Sequence, residues 1–216
     1  MTDFADLVDG YQRFRTSDWR RQHDRWEKLK VGQEPRVMVI ACSDSRVEPA
    51  QIFDTLPGEM FVVRNVANLV PPFETGGGYH GVSAALEFAV TQLKVSEIVV
   101  LGHGQCGGCK AALAGTFVDA ERGKGGFISD WVHLLDGARD SVKQQHTDLS
   151  SDAAREAMEQ AAVRTSIENL RTFPFVREAE AAGNLDIRGA VFALDDGILR
   201  VMDESGAFTP AQTREA

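Results

Sequence analysis

The chain has 216 residues, of which 43% are hydrophobic and 25% are charged, and its formal net charge is −9. A chain of this length can bury a sizeable core, and its acidity argues against nucleic acid and membrane surfaces as partners, because both need a basic patch. It has no run of roughly 18 apolar residues, no apparent secretory signal and an odd number of cysteines, so we expect a cytoplasmic protein with reduced thiols.

Residues 1–30 predict one or two amphipathic helices, because apolar side chains recur there at roughly helical spacing, namely Phe4, Leu7, Val8, Tyr11 and Phe14. Three apolar runs farther along the chain predict buried strands, at residues 37–42, 60–70 and 97–104. The strand predicted at 60–70 leads into a loop that contains two prolines and three glycines.

Helical patterns lie between and after these strands, at residues 80–93, 128–146 and 152–172. Pro174 is expected to interrupt the last of them, because proline cannot continue a helix without losing a hydrogen bond. Residues 187–203 predict two strands joined at Asp196-Gly197, which is a strong hairpin pattern. The last ten residues are expected to be frayed.

Short buried strands that alternate with helices predict an α/β fold within a single domain that spans residues 1–216. We expect a mainly parallel central β-sheet flanked by helices, with an N-terminal helical arm and a C-terminal β-hairpin. Sheets of this kind place their sites beyond the carboxyl ends of the strands. Cys42 ends one predicted strand and His103 lies near the end of another, so both should lie at the same edge.

A cluster of metal-binding residue types is expected at that edge. His103 and Cys106 are three residues apart in a glycine-rich turn, and Cys42 comes from the other strand. Thiolate and imidazole are ligands that zinc prefers, and three protein ligands leave a fourth position. Asp44 could fill that position, or Arg46 could hold Asp44 away from it through a bidentate pair.

Two other interpretations use the same residues. Cys106 and Cys109 form a C-x-x-C pattern before a helix, which is typical of a dithiol redox pair. Alternatively, Cys42, His103, Cys106 and Cys109 could together form a closed structural zinc site in a binding module. Neither interpretation explains why Asp44 and Arg46 flank Cys42.

Three motifs give the chain a family resemblance. The segments "CSDSR" at 42–46, "RNVAN" at 64–68 and "GHGQCGG" at 102–108 resemble the β-class carbonic anhydrases in order and spacing. The resemblance runs from about residue 33 to residue 115, and the C-terminal "RGAVFALDDGILRV" also fits. It implies a zinc lyase that interconverts carbon dioxide and bicarbonate. A few relatives of that family instead hydrolyse carbon disulfide or carbonyl sulfide at the same zinc site.

The resemblance also assigns roles to residues of this chain. It implies one Zn²⁺ per chain, bound by Cys42, His103 and Cys106, with Cys109 as a non-ligand. Asp44 is expected to accept a hydrogen bond from the reacting water molecule, and Arg46 to keep Asp44 ionised and off the metal. Substrate contacts are expected from an amide side chain, the backbone N–H groups of a glycine turn and an apolar wall, namely Gln33, Gly107, Gly108, Phe61, Val66 and Phe88.

The chain resembles the plant-type members of the family most, through Gln33 and Phe61. It departs from them at Phe88, where they usually have a tyrosine, and at Gln92, which takes the position of a histidine proposed as a proton shuttle. The resemblance further implies a homodimer or a larger homo-oligomer such as a tetramer, in which residues 1–30 pack on a partner subunit.

Some bacterial relatives bind bicarbonate at a second, inhibitory site made of Trp, Arg and Tyr. The three positions correspond here to Val39, Arg64 and Phe192, so two of the three contacts are missing. We therefore expect an open resting site, with Asp44 paired to Arg46, and activity that falls gradually as the pH drops.

Overall fold

The computed structural model describes residues 2–76 and 78–212. It comprises two units, Met1–Glu34 and Pro35–Ala216. The first unit contains three helices rather than the one or two expected from the sequence: α1 (Phe4–Thr16), α2 (Asp18–Arg21) and α3 (His23–Leu29). Helix α1 begins at a capping box, in which Asp3 and Asp6 each accept a hydrogen bond from the other's backbone N–H at 3.0 Å. None of the three helices contains a buried residue.

The second unit is built on one six-stranded sheet, with strands β1 (Val37–Cys42), β2 (Met60–Asn65), β3 (Glu97–His103), β4 (Asp186–Phe192), β5 (Leu199–Met202) and β6 (Phe208–Pro210). Their order across the sheet is β2-β1-β3-β4-β5-β6. The first four strands are parallel to one another, whereas β5 and β6 are antiparallel to their neighbours. The mainly parallel sheet and the C-terminal hairpin, β4–β5, are therefore confirmed.

The remaining helices lie between these strands: α4 (Pro49–Ile52), α5 (Gly81–Glu87), α6 (Gly107–Ala114), α7 (Gly126–Val132), α8 (Asp136–Gln145), α9 (Asp152–Leu170) and α10 (Pro174–Ala181). Short 3₁₀ turns occupy Val66–Asn68 and His133–Leu135, and a π-helical turn occupies Phe88–Leu93. The helices predicted at 80–93 and 128–146 are thus each divided. Pro174 begins α10, because a proline at the first position of a helix costs no hydrogen bond.

The C-terminal segment differs from the sequence prediction. Residues 208–210 form strand β6, which pairs with β5, so the frayed end that we expected is wrong at these positions. The reason lies in packing: Phe208 contacts the hydrophobic core and carries the Arg164 guanidinium 5.4 Å from its ring centroid. Residues 213–216 lie outside the described part of the chain.

Helix α9 packs closely against the centre of the sheet. A side chain at Gly102 of β3 or Gly189 of β4 would place a Cβ atom only 2.8 or 2.9 Å from a methyl group of Val163. The glycines therefore let the helix approach the two strands more closely than any larger residue would allow. Every helix among the described residues is too short or too polar to span a lipid bilayer.

Candidate metal centre

The carboxyl ends of β1 and β3 meet at one edge of the sheet, as the sequence predicted. Cys42 is the last residue of β1 and His103 is the last residue of the adjacent, parallel β3. The loop that follows β3 brings Cys106 to the same place, with its sulfur 3.9 Å from the sulfur of Cys42. The ligand atoms of Cys42, His103 and Cys106 all lie within 4.8 Å of one another, and all three residues are buried.

The imidazole of His103 is oriented for metal binding. Its Nδ1 lies 2.8 Å from the carbonyl oxygen of Gly104, which assigns the proton to Nδ1 and leaves the lone pair on Nε2. Nε2 is buried and has no hydrogen-bond partner among the described residues. A buried polar atom without a partner is costly, so a cation between Nε2 and the two sulfurs fits this arrangement.

The two thiols also fit a cation. The neighbouring Cys106 thiol, together with burial, raises the pKa of Cys42 to about 12. Contact with the Cys109 thiol is the main cause that raises the pKa of Cys106 to about 12. Two thiolates are therefore unfavourable here on their own, and zinc deprotonates a coordinating thiol outright. Cys109 is buried but does not belong to the three-residue group.

Asp44 and Arg46 form a bidentate ion pair beside these ligands. Arg46 donates from Nε to Asp44 Oδ1 at 2.9 Å and from Nη2 to Asp44 Oδ2 at 2.7 Å. The Arg46 guanidinium holds the pKa of Asp44 well below its usual range. Asp44 Oδ2 lies 4.0 Å from His103 Nε2, so an ionised acceptor faces the ligand set without belonging to it.

Arg64 fixes the loop that carries this pair. Its Nε donates to the carbonyl oxygen of Cys42 at 3.0 Å, and its Nη2 donates to those of Asp44 and Val47 at 2.8 and 3.1 Å. Its Nη1 contacts the carboxylate of Glu48. The resemblance implied only an anion contact for Arg64, whereas in the structure its side chain binds these four partners.

Val66 and Gly108, at the start of α6, pack against each other. A Cβ atom at Gly108 would lie 2.8 Å from a methyl group of Val66 and 2.9 Å from the Cβ of Ala67. Ala67 itself has a positive φ of 63°, and the carbonyl of Val66 accepts a hydrogen bond from the indole N–H of Trp131 at 2.8 Å. Gly107 and Gly108 begin α6, and Val66 remains 41% exposed.

The two predicted phenylalanines of the apolar wall do not lie at this edge. Phe61 and Phe88 contact each other, with ring centroids 5.9 Å apart. Phe61 is level with Met38 in the sheet, four positions before Cys42, which is about 13 Å along a strand. Gln33 is exposed and belongs to the N-terminal unit.

One residue at the site was not found from the sequence. Glu159 of α9 is only 7% exposed, and its Oε1 accepts a hydrogen bond from the backbone N–H of Cys106 at 3.1 Å. Burial raises the pKa of Glu159 to about 7, and the hydrogen bond from Cys106 opposes that shift. Its position four residues before Val163 places it on the buried face of the helix, and this spacing was the available indication.

Comparison with known proteins identifies the family. Residues 37–199 match the family model described as "Carbonic anhydrase". The chain is 37% identical over 205 residues to β carbonic anhydrase 3 of Arabidopsis thaliana, a match that covers 95% of this chain and 79% of the plant protein.

Solved structures agree with this assignment. The β-carbonic anhydrase CcaA is 30% identical, with a TM-score of 0.86 and coverage of 96% of this chain and 92% of that one. A structure from work on two tetrameric β-carbonic anhydrases of Sordaria macrospora is 28% identical, with a TM-score of 0.80 and coverage of 95% and 98%. The chain belongs to the β-class carbonic anhydrases, which are zinc enzymes that interconvert carbon dioxide and bicarbonate.

Proposed function

We propose that Cys42, His103 and Cys106 hold one Zn²⁺ per chain and leave its fourth position free of protein ligands, as in catalytic zinc sites. The observation that carries this proposal is the convergence of two thiols and an unpartnered imidazole nitrogen within 4.8 Å. Zinc bound there supplies the electrophilic centre that makes water nucleophilic at neutral pH. The residues around it bind and orient the reactants.

Asp44 is the hydrogen-bond acceptor that orients the reacting water molecule. Because the Arg46 guanidinium keeps its pKa well below the usual range, Asp44 is ionised at neutral pH and can only accept hydrogen bonds. Asp44 therefore favours a molecule that can donate a hydrogen bond to it, such as water, and disfavours one that cannot. The fork of Arg46 engages both carboxylate oxygens, which keeps Asp44 from becoming a fourth ligand.

Gly107 and Gly108 supply backbone donors for the substrate. They begin α6, and the first N–H groups of a helix have no partner within the helix. Their N–H groups steady the oxygen atoms of bicarbonate, and the exposed side chain of Val66, packed against Gly108, supplies an apolar surface for carbon dioxide. The site thus offers an apolar surface to the apolar substrate and hydrogen-bond donors to the anionic product.

The working enzyme is a homo-oligomer, either a dimer or a tetramer. Phe61 and Phe88 lie far from the metal edge of their own chain, so they complete an apolar wall only when they face the edge of a second copy. Gln33 contributes its amide to the substrate in the same assembly. Residues 1–30 pack on the partner subunit, since α1 exposes a row of large apolar side chains, namely Phe4, Leu7, Val8, Tyr11 and Phe14. We place the enzyme in the cytoplasm, because its three cysteines are free.

The central experiment pairs stopped-flow measurement of carbon dioxide hydration with metal analysis of the same protein. We expect about one zinc per chain in the wild type, and loss of both zinc and activity in Cys42→Ala. The matched control is Cys109→Ser, an equally buried cysteine on α6 that should retain both. Loss of zinc in Cys109→Ser would favour the closed four-ligand site, and efficient disulfide reduction by metal-free protein would favour the redox interpretation.

Removal of residues 1–30 tests the assembly. We expect the truncated protein to aggregate or to lose activity, because the surface that the arm covers on its partner becomes exposed. Analytical ultracentrifugation and the hydration assay measure both effects. A soluble, monomeric and fully active truncated protein would refute the assembly and leave the zinc assignment intact.

A further inference from the structure

Glu159 is the one buried carboxyl group in residues 2–76 and 78–212, and the proposed reaction gives it no role. Charged residues are rarely buried without a partner. The partner here is the backbone N–H of Cys106, 3.1 Å from Glu159 Oε1. A buried acid that contacts the backbone of a metal ligand is poorly explained by core packing alone.

The fold directs this side chain to the second ligand loop. Glu159 lies one helical turn before Val163, and Val163 packs directly over Gly102, the residue before His103. The close approach of α9 to β3 therefore fixes where Glu159 lies relative to the carboxyl end of β3. The carboxylate reaches the loop from the helix layer, whereas Cys42 and His103 lie at the ends of strands of the sheet.

The loop itself needs an anchor at Cys106. Gln105 has a positive φ of 58°, a conformation that costs a non-glycine residue energy and persists only where its surroundings impose it. Cys106 is in an extended conformation at the position before α6, with φ of −68° and ψ of 119°. Its N–H is therefore not part of the helix, and in a buried position it requires an acceptor. Glu159 provides that acceptor.

We propose that Glu159 is a positioning residue, which holds the backbone of Cys106 so that the Cys106 sulfur points at the metal. This inference rests on the proposed zinc site and extends it from the ligands to the residue behind them. If the acceptor is removed, no hydrogen bond holds the peptide between Gln105 and Cys106 in this orientation. Rotation of that peptide then moves the Cys106 sulfur. The expected consequence is weaker zinc binding.

The choice of variant follows from the space around the carboxylate. A cavity of about 20 Å³ adjoins Glu159, Cys106 and Cys109, which is room for about one water molecule. A small residue such as alanine would enlarge it, and water could then replace the missing acceptor. Glu159→Leu fills the space without an acceptor, and Glu159→Gln keeps an amide oxygen at nearly the same place. Glu156→Leu, three positions earlier and exposed, is the matched control.

Zinc affinity, measured by competition with a chelator, is the primary readout, and the thiolate-to-metal absorption of the cobalt-substituted protein reports the ligand geometry. We expect Glu159→Leu to bind zinc about 10- to 100-fold more weakly, as is typical when the partner of a ligand is removed, with an altered cobalt spectrum. Glu159→Gln and Glu156→Leu should remain within about threefold of the wild type.

Unchanged zinc affinity and cobalt spectrum in folded Glu159→Leu would overturn the inference, even if its melting temperature fell. Should Glu159→Leu not fold, Glu159→Asp decides: its shorter side chain withdraws the acceptor, so it must bind zinc more weakly than Glu159→Gln, and equal affinities would overturn the inference. Failure of the proposed function has a different signature, because wild-type protein would then bind no zinc at the three ligands.

Discussion

The two loops that supply the metal ligands are anchored by opposite chemistry. After β1, three carbonyl oxygens, those of Cys42, Asp44 and Val47, accept hydrogen bonds from the single guanidinium of Arg64. After β3, a backbone N–H, that of Cys106, donates to the carboxylate of Glu159. The loop after β1, here the first loop, is thus held by the cationic Arg64, and the loop after β3, the second loop, is held by the acidic Glu159.

The anchors also come from different layers of the fold. Arg64 lies on the neighbouring strand β2, so the first loop depends on the sheet. Glu159 lies on α9, so the second loop depends on packing of the helix against the sheet. The link between the loops is Arg46, whose Nη2 donates to the carbonyl of Gln105 at 3.0 Å while its other contacts hold Asp44. The site therefore combines two separately supported parts, and each can be disturbed by itself.

The largest effect is expected from removing the negative charge of Asp44, which lies in the loop after β1. Asp44→Asn keeps the size of the side chain but loses the negative charge, so we expect zinc to remain and hydration activity to fall by about 100-fold or more, as is typical when a reactant is no longer held in position. Stopped-flow assays and metal analysis test this. Asp196→Asn, an exposed acid that also pairs with an arginine, is the control. Activity within a few-fold of wild type in Asp44→Asn would contradict the assigned role.

A somewhat smaller effect is expected from breaking the link between the loops. Arg46→Ala frees Asp44 to move toward the metal and also removes the contact with Gln105. We expect activity to fall by about 10- to 100-fold while zinc is retained. Part of this loss should be absent when Arg46→Ala is made in the Asp44→Asn background, since the displaced carboxylate is then missing. A fully active Arg46→Ala protein would contradict the pairing.

Loosening the first loop alone should have a moderate effect. Arg64→Gln removes charged hydrogen bonds to three carbonyl groups, each worth about 1.5–3 kcal/mol, so we expect a melting temperature lower by roughly 10 °C or more and an activity loss of about tenfold. Calorimetry and the hydration assay measure the two. Arg188→Gln, at an exposed ion pair on β4, should change neither. If Arg64→Gln behaved like this control, the first loop would not depend on Arg64.

The smallest effect concerns the pH dependence of stability. Arg46 lowers the pKa of Asp44 in the folded protein, so the pair stabilises the fold fully above the unfolded carboxyl pKa of about 3.9 and is lost as the pH falls below it. The melting-temperature difference between wild type and Arg46→Ala should therefore be constant from about pH 8 to pH 5 and shrink below about pH 4. A difference that disappeared between pH 8 and pH 6 would be incompatible with this assignment.

The strands and the ligand cluster could be predicted from the sequence because their causes are local. Apolar runs identify β1 and β3 as buried strands, and parallel strands necessarily bring their carboxyl ends, and hence Cys42 and His103, to one edge. The hairpin around Asp196-Gly197 was recognised from turn chemistry, which also acts locally. These features depend on few contacts that are distant in the sequence.

What the sequence did not reveal depends on distant contacts. Glu159 lies one turn after Arg155 and Glu156 on α9, which favours a solvated position for it until the helix is placed against β3. Strand β6 was missed because Phe208 is ordered by the Arg164 side chain and the core and not by its own neighbours. The distance of Phe61 from Cys42 could be given only once the register of β1 and β2 was known.

The pairing of β1 with β3 also has a consequence for how the protein folds. Cys42 and Cys106 are 64 positions apart in the chain, and they meet only after the segment between them has been looped out, at an entropic cost. Non-local strand pairing of this kind makes folding slow. The sulfur atoms of Cys42 and Cys106 therefore come together late in folding. We expect the refolding rate to be nearly the same in the presence of zinc as in the presence of a chelator. Zinc should instead act on the reverse step, lengthening the lifetime of the native state by slowing its unfolding.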